Sequence, residues 1–361
     1  MKLLSRKTTR RLALAGTGVF AVSATAFVAA NALADDNEAG VAVPVNCSIE
    51  LLPTPDDAVS TQVTAMDSTG TFIGGFYVQD ADEPDHRLPV IWENGELVEI
   101  EFDEELEFDR ASVADINSEG FAVLNVGDVQ NTTPYAFDGE RTYALANSDS
   151  YAHTVNDDGE IAGYSRLDAM DIAVVFGEDS MAPLGAPNRE WGASGIDIDE
   201  AGTIFGYHYG DPIEGRAPYL WHSDDSIEAL QMPDGIIRDN MDGGSINNGW
   251  VVGNITYRTE DGEDSGSMSL MWDSETGEPE SIDIDTASDV SSEGIVAGKH
   301  DGVAAVYANG ELTELPNVHG DESGLEDLAN AISGDGTVIA GTVNWSGTGN
   351  YDHEAAFWSC G

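Results

Sequence analysis

The side chains of this 361-residue chain that could do chemistry are a few cations and many aromatics set among carboxylates. Arg87, Arg166, Arg216, Arg258 and Lys299 each follow a glycine-closed β-pattern, and His208, His300 and His353 fall in the same kind of segment. Tyr207, Tyr257 and Trp345 gather there too. Cationic groups beside aromatic platforms suit a carbohydrate, an anionic small molecule or a peptide. The competing reading is that these cations pair with the abundant carboxylates, since exposed ion pairs form readily and contribute little.

No hydrolytic motif is complete. Gly192-Ala193-Ser194-Gly195 misses the spacing of a nucleophile elbow. His353-Glu354 lacks the second His of a zinc-protease helix and precedes a strand pattern. The acidic turns Asn156-Asp157-Asp158-Gly159 and Asp197-Ile198-Asp199 lack the ligand series and closing Glu of an EF-hand, and read as turn chemistry. Asn46, Asn131, Asn254 and Asn344 begin glycosylation triplets, which are frequent by chance. No cofactor and no metal is expected. The two cysteines, Cys47 and Cys360, lie near the chain ends and read as a disulfide in an exported protein.

These residues hang on a repeated frame. An aromatic column runs Trp92, Phe137, Phe176, Trp221, Trp272, Tyr307 and Trp358, each after an apolar residue. A turn glycine recurs at Gly70, Gly120, Gly159, Gly202, Gly249, Gly294 and Gly336. The repeat of about 44 residues is that of a four-stranded propeller blade. Within each unit, a short apolar strand ends on Asp67, Asn117, Asn156, Asp199, Asn247, Ser291 or Ser333, side chains able to bond their own turn. A second strand follows and closes with Gly in six units, Leu124 being the exception. The aromatic strand is third, and a tight hairpin such as Asn94-Gly95 leads to a fourth. Helical periodicity is absent. The fold class expected is all-β, a seven-bladed β-propeller of four-stranded blades.

The columns read small-x-(Asp/Asn)-x-x-Gly-x-(Val/Ile)-x-Gly, then apolar-aromatic, then Gly-x-Leu-x-x-Leu. That pattern resembles the HAF repeats of bacterial extracellular proteins, named for a His-Ala-Phe triplet whose nearest forms here are Tyr135-Ala136-Phe137 and Ala355-Ala356-Phe357. The resemblance runs from about Thr61 to Trp358. It implies a propeller-like fold and an extracellular setting, and it assigns no activity.

The seventh unit has only three strands, because just Ser359, Cys360 and Gly361 follow Trp358. Ile49-Glu50-Leu51-Leu52-Pro53 matches Leu312-Thr313-Glu314-Leu315-Pro316, the fourth strand of unit six, in apolar spacing and terminal proline. The N-terminus is therefore expected to complete the last blade and remove the open sheet edges. A Cys47–Cys360 bond would seal that seam. The repeats span about 61–100, 111–145, 151–184, 192–230, 241–282, 286–315 and 329–361 plus 47–53, one domain over 47–361.

Ahead of the domain, Lys2, Arg6, Lys7, Arg10 and Arg11 precede an apolar run and Ala32-Leu33-Ala34. Residues 1–34 read as a signal peptide and 35–46 as a linker, so the protein is expected to be secreted, extracellular or periplasmic. Five of the 14 basic residues lie in the leader and all 67 acidic ones beyond it. Such a chain excludes nucleic acid and anionic membranes as partners, which need a basic face.

In a four-stranded blade the second-to-third and inter-blade loops share one face and the hairpins the other. Arg141 alone among the mature cations maps to the hairpin face, so binding is expected at the longer loops opposite. The leading expectation is a monomeric, non-catalytic propeller that binds an extracellular ligand there; a carbohydrate-active or other hydrolytic enzyme, and a structural envelope or matrix protein, are the alternatives. Self-repulsion of so many carboxylates is screened by salt. The melting temperature is therefore expected to rise with sodium chloride concentration in calorimetry; greatest stability at low salt would exclude adaptation to a saline habitat.

Overall fold

The computed structural model describes Pro44 and residues 46–361, apart from 99, 101, 103–105, 107, 129–130, 147–148, 168–169, 178–179, 187–191, 211–215, 261, 263, 319–325 and 346–352. The leader, most of the linker, Arg189, His319, Tyr351 and the side chain of Trp345 lie outside the described residues. Every regular element among the described residues is a strand. The first strands of the successive units are Ser60–Met66, Arg110–Ile116, Ser150–Val155, Ala193–Ile198, Ile236–Asn247, Thr286–Val290 and Glu326–Ile332. Each is followed by antiparallel neighbours in chain order, giving four-stranded sheets. A single parallel contact, Arg87 with Arg110, joins units one and two edge to edge.

Unit seven departs from chain order as the proline-terminated N-terminal segment leads one to expect. Its outer strand is Ser48–Leu51, antiparallel to Glu354–Ser359 with Ser48 opposite Ser359 and Leu51 opposite Ala356. Cys47 and Cys360 follow in that register and are bonded, across 313 residues of sequence.

Both faces of each sheet are apolar, and the core lies between sheets. Ala65 and Ile91 of unit one pack with Val113, Ile116, Leu124 and Phe137 of unit two. The same seam recurs between units seven and one, where Ala331, Ala340 and Ala355 meet Val63, Ile73 and Trp92. The tryptophans of the aromatic column are buried with their one polar atom paired. Trp358 donates its indole N–H to the carbonyl of Pro316 at 2.7 Å, Trp272 to Gln231 at 2.7 Å and Trp221 to Gly185 at 2.5 Å, each a carbonyl in the preceding unit. Trp92 donates to Pro53 at 2.7 Å, so the N-terminal strand serves unit one as unit six serves unit seven.

The turn residues behave as their chemistry predicts. Asn117 Oδ1 accepts the N–H groups of Glu119 and Phe121, and Asp199 Oδ1 those of Ala201 and Thr203. Neighbouring turns are also tied: Asn117 Nδ2 donates to Asn156 O, Asn156 Nδ2 to Asp199 O, and the Gly334 N–H to Ser68 O, from the last unit to the first.

The second strands run further than the sequence pattern indicates. Arg166, Tyr207, His208, Lys299 and His300, expected in loops, lie in Ile161–Leu167, Ile204–Tyr209 and Val296–His300. Arg87 and Arg216 open the third strands Arg87–Glu93 and Arg216–Trp221. In unit five the presumed loop from Asn254 to Ser267 is an extended hairpin: Trp250–Thr259 pairs with Ser265–Asp273, placing Tyr257 opposite Gly266 and Arg258 opposite Ser265. Alternation of Ile255, Tyr257 and Thr259 with polar residues carries the strand outward.

In the chain-entropy account a loop this long makes the disulfide worth roughly 5 kcal/mol. Cys47→Ser, or reduction, is expected to lower the melting temperature sharply; an unchanged melt alongside two titratable thiols in the wild type would refute the seal.

Candidate functional site

The sequence-selected cations are held beside their own carboxylates or aromatics around the loop ends. Arg166 Nε is 2.9 Å from Asp171 Oδ1, Lys299 Nζ 2.7 Å from Glu326 Oε2, and Arg258 pairs with Asp239. His300 lies 3.7 Å from both Asp285 and Asp301. The Arg87 guanidinium sits 4.6 Å from the centre of the Phe76 ring. His208 is buried edge-on to Tyr219, and His353 is buried with Nδ1 2.6 Å from Gln62 Nε2. Tyr257 packs against the core of unit five. The backbone of Trp345 ends the strand Val338–Trp345. These residues do not converge on one pocket.

Two of the selected residues do meet, with Tyr209 as a third partner. Arg216 lies 5.8 and 5.5 Å from the ring centres of Tyr207 and Tyr209, and its Nη1 is 3.0 Å from Asp242 Oδ1. Tyr207 is buried and its hydroxyl donates to Gly243 O, which fixes that side of the cation site. Tyr209 borders Gly192, where Asp171 also approaches. Beside Asp171 opens a mainly apolar cavity of about 530 Å³, lined by Leu167, Met170, Ile172, Leu184 and Ala193. An apolar hollow, two exposed-edge ion pairs and a tyrosine pair thus adjoin at the loop ends of units three and four.

A second cavity, of about 210 Å³, occupies the channel between the first strands and reaches the first hairpin turns at Ser68, Asn117, Asp157 and Glu200. Its wall is made by a repeated irregularity. Each first strand carries a bulge, at Thr64, Ala114, His153, Ile196, Gly243-Gly244, Ser288 and Asn330. A bulge re-aims a side chain, and this set lines the channel. Glycines inside the second strands leave room for the chain leading into the bulge: a Cβ on Gly163 or Gly206 would stand 2.0 Å from Tyr151 O or 2.1 Å from Ser194 O, each two residues before a bulge.

Immediately after the bulges lie Ala65, Asp115, Thr154, Asp197, Ser245, Asp289 and Ala331. The three aspartates tie unit to unit. Asp115 Oδ2 accepts the Val155 N–H at 2.8 Å, Asp197 Oδ2 the Ile246 N–H at 2.8 Å, and Asp289 Oδ2 the Ile332 N–H at 2.9 Å. Each Oδ1 accepts the N–H of the next residue in its own strand. Thr154 and Ser245 hydroxyls fill the gaps, Ser245 donating to Asp289 at 2.6 Å.

Burial pushes Asp115 up to about 8, with repulsion from Asp197 adding to it, and Asp289 up to about 6; burial raises Asp197 as well. Burial moves His153 the other way, down to about 4, so its ring is neutral at pH 7. This belt escaped sequence reasoning. The available signal was a polar residue one place before the last apolar residue of the first strand in five of the seven units. Among the described residues no group of three or more His, Cys, Asp or Glu converges in a metal-binding arrangement.

No protein-family model matches the chain, and no curated protein matches it in sequence. Solved structures of the same shape do exist. The Dos1 propeller aligns over 86% of this chain and 95% of its own at 10% identity and a TM-score of 0.51. The polysaccharide lyase Uly1 aligns over 86% and 100% at 9% identity and 0.54. A puromycin-hydrolyzing peptidase of Mycobacterium tuberculosis aligns over 81% of this chain at 10% identity and 0.52; there the chain spans about half, 51%, of the other's length. Identities this low speak to architecture alone. Four-stranded antiparallel sheets, inter-sheet cores and these likenesses together make the chain a β-propeller.

Proposed function

We propose that this protein is a secreted, monomeric, seven-bladed propeller, closed by its N-terminal strand, that binds an extracellular ligand without catalysis at the loop ends of units three and four. The closure rests on Ser48–Leu51 pairing with Glu354–Ser359, on Trp92 using Pro53 as Trp358 uses Pro316, and on the disulfide beside them. Secretion rests on the leader pattern and that disulfide; no helix among the described residues is long and apolar enough to cross a membrane.

The observation that carries the binding reading is the apolar cavity adjoining Arg166–Asp171 and the Arg216–tyrosine cluster. Pockets of this kind, with few convergent polar groups, are the usual seats of small ligands. Asp242 and Arg216 form an exposed pair, worth at most about 1 kcal/mol. An anionic group on a carbohydrate, small molecule or peptide can replace Asp242 and gain a guanidinium held between two rings.

The second reading, a hydrolytic propeller, draws on the channel, where His153 and three aspartates line one cavity. Against it, each oxygen of those carboxylates already accepts an N–H, and each Oδ2 uses its own to tie one sheet to the next.

A glycan and anionic small-molecule binding screen on the mature protein decides between them. Binding is expected to fall at least tenfold in Arg216→Ala and Arg166→Ala and to persist in Arg141→Ala on the hairpin face. A ligand or turnover lost in His153→Ala but retained in Arg216→Ala would overturn the loop-end assignment in favour of the channel.

A further inference from the structure

We infer that Asp115, Thr154 and Asp197 hold one exchangeable proton at neutral pH, and that this proton latches units two, three and four together until mild alkali removes it.

The reason is a count of hydrogens. Thr154 Oγ1 lies 3.0 Å from Asp115 Oδ2 and 2.9 Å from Asp197 Oδ1, and it accepts the Ile198 N–H at 3.2 Å. A hydroxyl owns one proton and can donate it once. With both carboxyls ionised, one of the two short contacts would set oxygen lone pairs against each other inside a buried wall. One carboxyl proton resolves the conflict: Asp115 Oδ2–H donates to Thr154, and Thr154 donates to Asp197.

Both carboxyls accept an N–H on each oxygen and face the Thr154 hydroxyl, but Asp197 alone has a second hydroxyl, that of Ser245, beside it and is the better-served anion. The neutral member is therefore Asp115. The satisfied chain then runs Asp115–Thr154–Asp197 across three sheets whose sequence partners are 39 and 43 residues apart.

The surroundings favour keeping the proton. The cavity facing the triad is lined by Asp157, Asp199, Glu200 and Asp289 in addition to Asp197, with no Lys or Arg among its lining residues. Facing it from the same strand as Thr154 is His153, neutral through burial. Burial and the Asp197 charge act together on Asp115 in the direction the count requires. Once deprotonated, the proton leaves to solvent through the channel and the two carboxylates repel across Thr154.

The linkage has a definite sign. A carboxyl whose folded value stands above its unfolded one stabilises the fold at low pH, and that contribution is lost as pH rises through the folded value. For Asp115 the window closes near pH 8. Ordinary carboxylates are ionised well below it, and His153, shifted downward, acts only at lower pH in the opposite sense.

Calorimetry from pH 7 to 9 on the mature protein should show the melting temperature falling, with up to a tenfold rise in the unfolding constant per pH unit below the folded value. Asp115→Asn supplies an amide donor to Thr154 with no proton to lose, and should flatten the profile. Infrared spectroscopy of the wild type at pH 7 should show a protonated-carboxyl band that fades by pH 9 and loses most of its intensity in Asp115→Asn or Asp197→Asn. A band absent at pH 7, or one surviving both substitutions unchanged, overturns the inference. The wild-type spectrum decides even if neither variant folds.

Discussion

A four-stranded sheet that is apolar on both faces cannot bury either face alone, and everything else in this molecule follows from that. The side chains of Val113 and Ile116 find their cover on unit one, those of Ala331 and Ala355 also on unit one from its other side. Burial of such residues contributes on the order of 25 cal/mol per Å² of apolar surface, and only a neighbouring sheet supplies it. The same need fixes the tryptophans: a buried indole must pair its N–H, and the preceding unit offers one carbonyl in the right place.

Sheets arranged around an axis bring their first strands close together, where their backbone and side-chain polar groups have little access to water. The bulges and the aspartate–hydroxyl belt answer this. Each aspartate spans the gap to the next strand and accepts an amide N–H there that a flat sheet edge would leave unpaired. Asn254 does similar work further out, its side-chain amide pairing with both the N–H and the carbonyl of Ala287 in the next unit. Polar residues in the interior are thus structural ties, and the chemistry of the outer loop ends is left to separate side chains.

The frame was legible because it is written locally. Turn glycines, cap residues and the aromatic strand recur at a near-constant spacing, and Pro53 echoes Pro316 closely enough to place the first strand in the last unit. Strand length was harder: Arg166, Tyr207 and Lys299 are polar or amphipathic strand ends, which the pattern reads as loop. The belt was invisible for a different reason. Its position is occupied by Ala, Asp, Thr, Asp, Ser, Asp and Ala in turn, so no one residue type marks the column, and each partner lies about one repeat away. The glycine column was visible while its purpose, in four units room for the carbonyl two residues before the neighbouring bulge, needed three dimensions.

The pairing of Ser48–Leu51 with Glu354–Ser359 also sets an order of events. A strand made among the first must wait, without its partner, until the last has been synthesised. Until then its backbone donors and acceptors lie open to any other strand, and units seven and one each lack a flank. Pairing of the two terminal strands therefore comes after the last of them is made, and the Cys47–Cys360 bond holds the pair covalently.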